Sequence, residues 1–155
     1  MTINRKPSLL VVCMGNICRS PTGEAVLKAR ARQMGIDVKV DSAGTIGYHH
    51  GNPPDSRAQQ AGEARGYSFS GIRARQVTDD DFESFDMILA ADKDNLADLK
   101  QRCPRHLHHK LSLFLSHGSS EYNEIPDPYY GGEQGFELVL DLIEEAADSV
   151  LAKYH

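Results

Sequence analysis

The 155-residue sequence predicts an α/β fold, a parallel sheet with helices on both of its faces. Three observations lead there. Leu9-Leu10-Val11-Val12 is a continuous apolar run, as in a strand covered on both faces. Strand-like and helix-like segments then alternate, the pattern of crossover connections. The composition, 40% hydrophobic and 25% charged, is that of an ordinary globular domain and excludes collagen, a coiled coil and a disordered chain. The length suits one domain over residues 1–155, with a flexible lead at residues 1–7 and a single core.

The elements follow in order. The first strand runs into Cys13-Met14-Gly15-Asn16-Ile17-Cys18-Arg19-Ser20-Pro21, where Ser20 and Pro21 read as N-cap and first residue of a helix. Gly35 is a suitable terminator for it. Ile36 to Val40 alternates as a second strand, and Ser42-Ala43-Gly44-Thr45 opens a long loop holding Gly51-Asn52-Pro53-Pro54. Asp55 can cap a helix ending near Gly66, and Thr78-Asp79-Asp80-Asp81 resembles a capping box. Phe85 to Ala91 reads as a third strand, Lys93 to Arg102 as a helix, and Leu111 to Leu115 as a fourth strand. The loop Asp127-Pro128-Tyr129-Tyr130-Gly131-Gly132 leads into a last helix with apolar residues at Phe136, Val139, Leu140, Ile143, Ala147, Val150 and Leu151.

Charge and cysteine content narrow the function. With 17 Lys+Arg against 22 Asp+Glu the net charge is −5, a poor match for nucleic acid. Any phosphate recognition must therefore be local. Three cysteines, Cys13, Cys18 and Cys103, are too few and odd in number for a secreted disulfide framework. The apolar run at Leu9 is too short for a signal segment or a membrane span. The expectation is a cytoplasmic protein with no membrane insertion.

The first strand-loop-helix junction carries the chemistry. Open α/β sheets bind ligands outside the carboxyl ends of their strands. A loop curled over a helix N-terminus aims several backbone N–H groups at one point, which suits an anion. Gly15 can supply a positive φ for the curl. Arg19 offers a planar fork for two phosphate oxygens. Cys13 at the base of this positive cradle is placed as a nucleophile. The loop is neither G-x-x-x-x-G-K-[ST] nor G-x-G-x-x-G. A phosphoryl-transfer nucleophile needs a proton donor for its leaving group. Asp127, stiffened by Pro128, can hang over the same end of the sheet, although Asp-Pro is also a common turn. Tyr129 and Tyr130 could wall a slot for a flat ring.

These residues resemble the low-molecular-weight protein tyrosine phosphatases. The resemblance lies in Val12-Cys13-Met14-Gly15-Asn16-Ile17-Cys18-Arg19-Ser20-Pro21, Asp41-Ser42-Ala43-Gly44, Gly51-Asn52-Pro53-Pro54-Asp55, Ala74-Arg75-Gln76 and Asp127-Pro128-Tyr129-Tyr130-Gly131, in one order over roughly Ser8 to Tyr154. It implies a three-layer sandwich with a four-stranded parallel sheet, flavodoxin- or Rossmann-like, and a two-step reaction without metal or cofactor. Cys13 would form a cysteinyl-phosphate from phosphotyrosine on a protein or peptide. Arg19 and the loop Met14, Gly15, Asn16, Ile17, Cys18 and Ser20 would hold the phosphoryl group. Asp127 would protonate the leaving phenolate and then activate water, releasing inorganic phosphate, a product that also inhibits. Ser20 would hydrogen-bond the Cys13 sulfur, Asn16 would pin the loop through Ser42, and Tyr48, His49, Tyr129 and Tyr130 would line the mouth. Many relatives carry a histidine where this chain has Ile72, so a loop-supporting hydrogen bond from that position is in doubt.

Other features have plainer readings. Cys18 could form a reversible disulfide with Cys13 and protect it from over-oxidation. His106, His108, His109 and His117 lack zinc-site spacing and read as a solvated face. Asp79-Asp80-Asp81 reads as a negative first helical turn. Three other functions suit the sequence less well. Arsenate reduction would need a further cysteine relay, and only Cys103 remains for it. A protein-arginine phosphatase tends to carry threonine at the position of Ile17, whose apolar branch suits a phenyl ring. A non-catalytic phosphate-binding module would not need both Cys13 and Asp127.

Overall fold

The computed structural model describes residues 6–128 and 133–154. The flexible lead expected at residues 1–7 falls mostly outside them. In chain order the elements are β1 (Ser8–Cys13), α1 (Arg19–Met34), β2 (Lys39–Gly44), α2 (Ser56–Ala64), α3 (Asp79–Ser84), β3 (Met87–Ala90), α4 (Lys93–Arg102), β4 (Leu111–Leu113) and α5 (Glu133–Ala152), with short 3-10 turns at Arg105–Lys110 and Phe114–His117. The four strands are all parallel and run in the order β2-β1-β3-β4. β1 is central, paired with β2 from Ser8↔Lys39 to Cys13↔Gly44 and with β3 from Leu9↔Met87 to Val12↔Ala90.

Side-chain alternation along β1 divides the core into two layers. Leu9, Val11 and Cys13 join Val26, Leu27, Phe114, Leu140 and Ile143, packing the sheet against α1 and α5. Leu10 and Val12 join Ile88, Ala90, Phe82, Phe85 and Leu99 beneath α3 and α4. All six residues of β1 are buried, which is why the sequence shows an unbroken apolar run rather than an alternating one. Burying a side chain such as Leu9 or Leu10 contributes about 1.5–3 kcal/mol.

Helix ends follow local chemistry, with two departures from the sequence reading. Gly35 closes α1 at φ 71°, as expected of a left-handed terminator. Asp55 caps α2 by accepting from Arg57 N–H, and Thr78 with Asp81 forms the capping box of α3. The first departure is Ser20. The helix starts two residues earlier, Cys18 occupies the cap position, and the Ser20 hydroxyl points to Cys13 instead of capping. The second is β2, which extends through Ser42-Ala43-Gly44 because this segment pairs along β1 as far as Cys13; the expected loop begins only after it.

Candidate active site

β1 ends at Cys13 and α1 begins at Arg19, so the intervening residues curl over the helix N-terminus at the carboxyl edge of the sheet. Cys13, Met14, Gly15, Ile17, Cys18, Arg19, Tyr48, His49 and Asp127 line one open pocket there. The Cys13 sulfur is buried at its floor, 2.9 Å from Ser20 Oγ and 3.3 Å from the backbone nitrogen of Asn16, which donates to it.

The curl turns on Asn16 rather than Gly15. Asn16 has φ 58°, a left-handed conformation that Asn tolerates better than most residues. Its side chain holds it there. Nδ2 donates to Ser20 Oγ at 2.8 Å and to Ser42 Oγ at 3.1 Å, and Oδ1 accepts from the Arg75 backbone N–H at 3.0 Å. Gly15 serves closeness instead, since a Cβ there would lie 3.0 Å from His49 Cδ2. Gly44 is more constrained still: a Cβ would lie 2.6 Å from the Met14 carbonyl oxygen. The loop thus sits directly on the backbone of β2.

Arg19 is 4% exposed. Its Nη1 donates to Asp92 Oδ2 at 2.8 Å and to the Ile125 carbonyl at 2.9 Å, which sets the plane of the guanidinium. Its Nη2 stands 4.0 Å from Asp127 Oδ2. Burial works against the charge on Arg19, but Cys13, Asp92 and Asp127 outweigh it and hold the guanidinium above its ordinary pKa. Cys18 behaves oppositely. Burial, followed by the negative charge of Asp55, pushes its thiol up to about 12, so it stays protonated at neutral pH. All three cysteines are free thiols.

At the mouth, Tyr48 is 83% exposed and Met14 50% exposed. The rings of Tyr48 and His49 meet edge to face at 4.9 Å. Asp127 is also half-exposed and lines the same pocket. Tyr129 and Tyr130, the other expected walls, lie outside the described residues. Ser42 is buried next to Asn16, as the resemblance implied. Ile72 lies in the apolar core and offers no polar atom to the loop.

Four residues in this constellation were not singled out from sequence. Asp92 both caps α4, accepting from Asn95 N–H, and orients Arg19. Its signal is an Asp two residues past β3, the strand beside β1. The Ile125 carbonyl has no sequence signal. Arg75 stands out in the sequence only as part of Ala74-Arg75-Gln76. Its backbone meets Asn16 and Gly44, and its guanidinium bridges Asp41 and Asp81. Glu24, buried on α1, accepts from Ser42 Oγ at 2.6 Å. The histidines expected on a solvated face spend ring nitrogens locally: His108 on the Cys103 carbonyl, His109 on the His106 carbonyl, and His117 on Ser112 Oγ. Among the described residues no three His, Cys, Asp or Glu side chains converge as metal ligands, and no helix is long and apolar enough to cross a membrane.

Known proteins share this sequence pattern and this fold. The family model of the low molecular weight phosphotyrosine protein phosphatases matches residues 8–154. The human low molecular weight phosphotyrosine protein phosphatase is 40% identical over 152 residues, covering 96% of each chain. The Bacillus subtilis low molecular weight protein-tyrosine-phosphatase YfkJ is 40% identical over 148 residues, covering 94% of each. A crystal structure of a protein tyrosine phosphatase from Entamoeba histolytica, with Hepes in its active site, superposes with a TM-score of 0.92 at 42% identity, covering 96% of each chain. A buried cysteine that accepts from the Asn16 amide, an oriented arginine and an acid lining the same pocket are thus set in a fold shared over nearly the whole length, and the chain belongs to the low molecular weight phosphotyrosine protein phosphatase family.

Proposed function

We propose that this pocket hydrolyses phosphotyrosine on proteins or peptides, with Cys13 as nucleophile, Arg19 and the loop amides as phosphate cradle, and Asp127 as acid and then base. The observation that carries the assignment is that Cys13, Arg19 and Asp127 line one pocket, with the Asp127 carboxylate 4.0 Å from the Arg19 guanidinium. The sulfur attacks phosphorus, forming the S–P bond as the P–O bond to the phenol breaks. Asp127 gives its proton to the departing phenolate oxygen. Water then attacks the phosphocysteine and returns a proton to Asp127. The S–P bond breaks, Cys13 leaves as thiolate and inorganic phosphate is released. Arg19 supplies the charge that stabilises the equatorial oxygens, already oriented by Asp92 and Ile125 before substrate arrives. Ser20 donates to the sulfur when Cys13 is the leaving group.

Cys18 is proposed as the redox partner of Cys13. Peroxide would oxidise the Cys13 thiolate to a sulfenic acid; the Cys18 sulfur would displace water from it to form a disulfide that an added thiol reduces. Cys18→Ser should then lose the activity that a thiol recovers after peroxide in the unmodified protein, and equal recovery would sink this role.

The functional assignment is tested by comparing phosphotyrosine, phosphoserine and phosphoarginine peptides on the wild type, Cys13→Ser and Asp127→Ala, in the presence of a chelator. Turnover of phosphotyrosine by the wild type, none by Cys13→Ser, and strongly slowed turnover by Asp127→Ala is the expected pattern. Full activity in Cys13→Ser would overturn it, and preference for phosphoarginine would move the substrate class.

A further inference from the structure

The hydrogen bonds beneath the loop continue past Ser42 to the surface of α1. From the Cys13 sulfur they run through Ser20 Oγ, Asn16 Nδ2 and Ser42 Oγ to the Glu24 carboxylate. Glu24 in turn pairs with Lys28, one turn further along α1, at 2.5 Å. Ser20, Asn16, Ser42 and Glu24 are all at least 95% buried, whereas the Lys28 side chain is 46% exposed. The relay therefore links the pocket floor to a solvent-reaching cation.

The direction of each bond follows from what each group can donate. Asn16 is the only amide in the chain of contacts, and its two N–H groups go outward, one to each hydroxyl. Each hydroxyl thus spends a lone pair on Asn16 and has one proton left. For Ser42 that proton goes to Glu24. For Ser20 the nearer acceptor is the Cys13 sulfur at 2.9 Å, against 3.4 Å to the Ala43 carbonyl. Two contacts keep the Asn16 amide in this sense: its Oδ1 accepts from the Arg75 N–H at 3.0 Å, and Glu24 takes the Ser42 proton that would otherwise favour the flipped amide. Asn16 is thereby kept donating to Ser20, and Ser20 to sulfur. A carboxylate this deeply buried requires a counter-charge. Lys28 provides it at the i,i+4 spacing that brings side chains together on one helix face.

We propose that Glu24 and Lys28 act as positioning residues for the nucleophile: the ion pair fixes the sense of the relay, which orients the Ser20 proton toward Cys13 and holds Asn16 in its left-handed conformation. The inference rests on the assignment of Cys13 as the nucleophile.

Lys28→Met, Lys28→Arg and Glu24→Gln test it. The readouts are kcat and KM with an aryl phosphate, the rate of Cys13 alkylation by iodoacetate, and thermal melting. In Lys28→Met, whose site is half-exposed, the fold should persist while kcat and the Cys13 alkylation rate fall together by about 5–20-fold, as expected when charge-assisted hydrogen bonds to a buried group are weakened. Glu24→Gln should fall at least as far, and Lys28→Arg should restore both quantities to within about twofold, since a guanidinium can pair with the same carboxylate. Wild-type kcat and alkylation in Lys28→Met, with or without a change in melting, would overturn the proposal. So would a Lys28→Arg as impaired as Lys28→Met. An inactive wild type would instead refute the phosphatase assignment itself.

Discussion

The floor and the rim of the pocket are built on different principles. On the floor, Cys13, Asn16, Arg19, Ser20 and Ser42 are all at least 95% buried, and each has hydrogen-bond partners fixed by neighbouring strands or helices. At the rim, Met14, Tyr48 and Asp127 project from loops, and the Tyr48 ring meets the His49 ring edge to face. Buried polar groups with complete partners are rigid and costly to disturb. Exposed side chains can change without a fold penalty. On the proposed assignment, the floor sets which bond is broken, and the rim sets which phosphate ester enters.

Substitutions graded from floor to rim should separate these roles. Arg19→Lys breaks the floor most: lysine cannot reproduce the fork that Asp92 and Ile125 hold in plane. A loss of about 10²–10³-fold in kcat is expected, measured by steady-state hydrolysis of an aryl phosphate; a loss confined to KM would show that Arg19 only binds. Asp127→Asn acts from the rim on the chemistry itself. It should cost about 10²-fold with phenyl phosphate and clearly less with para-nitrophenyl phosphate, whose leaving group needs less protonation. Equal losses on the two esters would remove Asp127 as the acid. Tyr48→Ala touches only the rim. Its expected effect is a rise in KM of about 2–5-fold for phosphopeptides with kcat unchanged, the signature of uniform binding.

The smallest effect lies away from both. His117 sits between Ser112 Oγ, 2.8 Å from Nε2, and Lys153 Nζ, 2.5 Å from Nδ1. Burial and then the Lys153 charge hold it below the ordinary value of 6.5. The folded state thus binds fewer protons than the unfolded chain, so stability is complete above about pH 6.5 and is lost as pH falls below it. His117→Asn should flatten the fall in melting temperature between about pH 7 and 5 while leaving kcat untouched. An unchanged slope would count against this group as a contributor.

Much of this was legible in the sequence, and the limits are physical. The buried run at Leu9, the cap at Asp55 and the glycine at Gly35 are local signals, and each element they marked is present. The end of β2 was misread because Ser42-Ala43-Gly44 has weak strand propensity; pairing with β1 overrides it. Ser20 looked like a cap because its alternative partners, Cys13 and Asn16, become neighbours only when the loop curls. Likewise Gly15 was the natural candidate for a positive φ, but Asn16 takes it, held by Ser42 and Arg75 from elsewhere in the chain. Asp92 and Glu24 escaped notice for the same reason. Each reads as an ordinary helix residue until β3 and α1 are packed against β1.

The most direct test of the central claim, that the floor reacts through Cys13, is mass spectrometry of acid-quenched Asp127→Ala during turnover of an aryl phosphate. With the second-step base removed, a phosphoryl adduct should accumulate on the peptide carrying Cys13 and be missing in Asp127→Ala/Cys13→Ser. Steady turnover with no adduct, or an adduct on another residue, would contradict it.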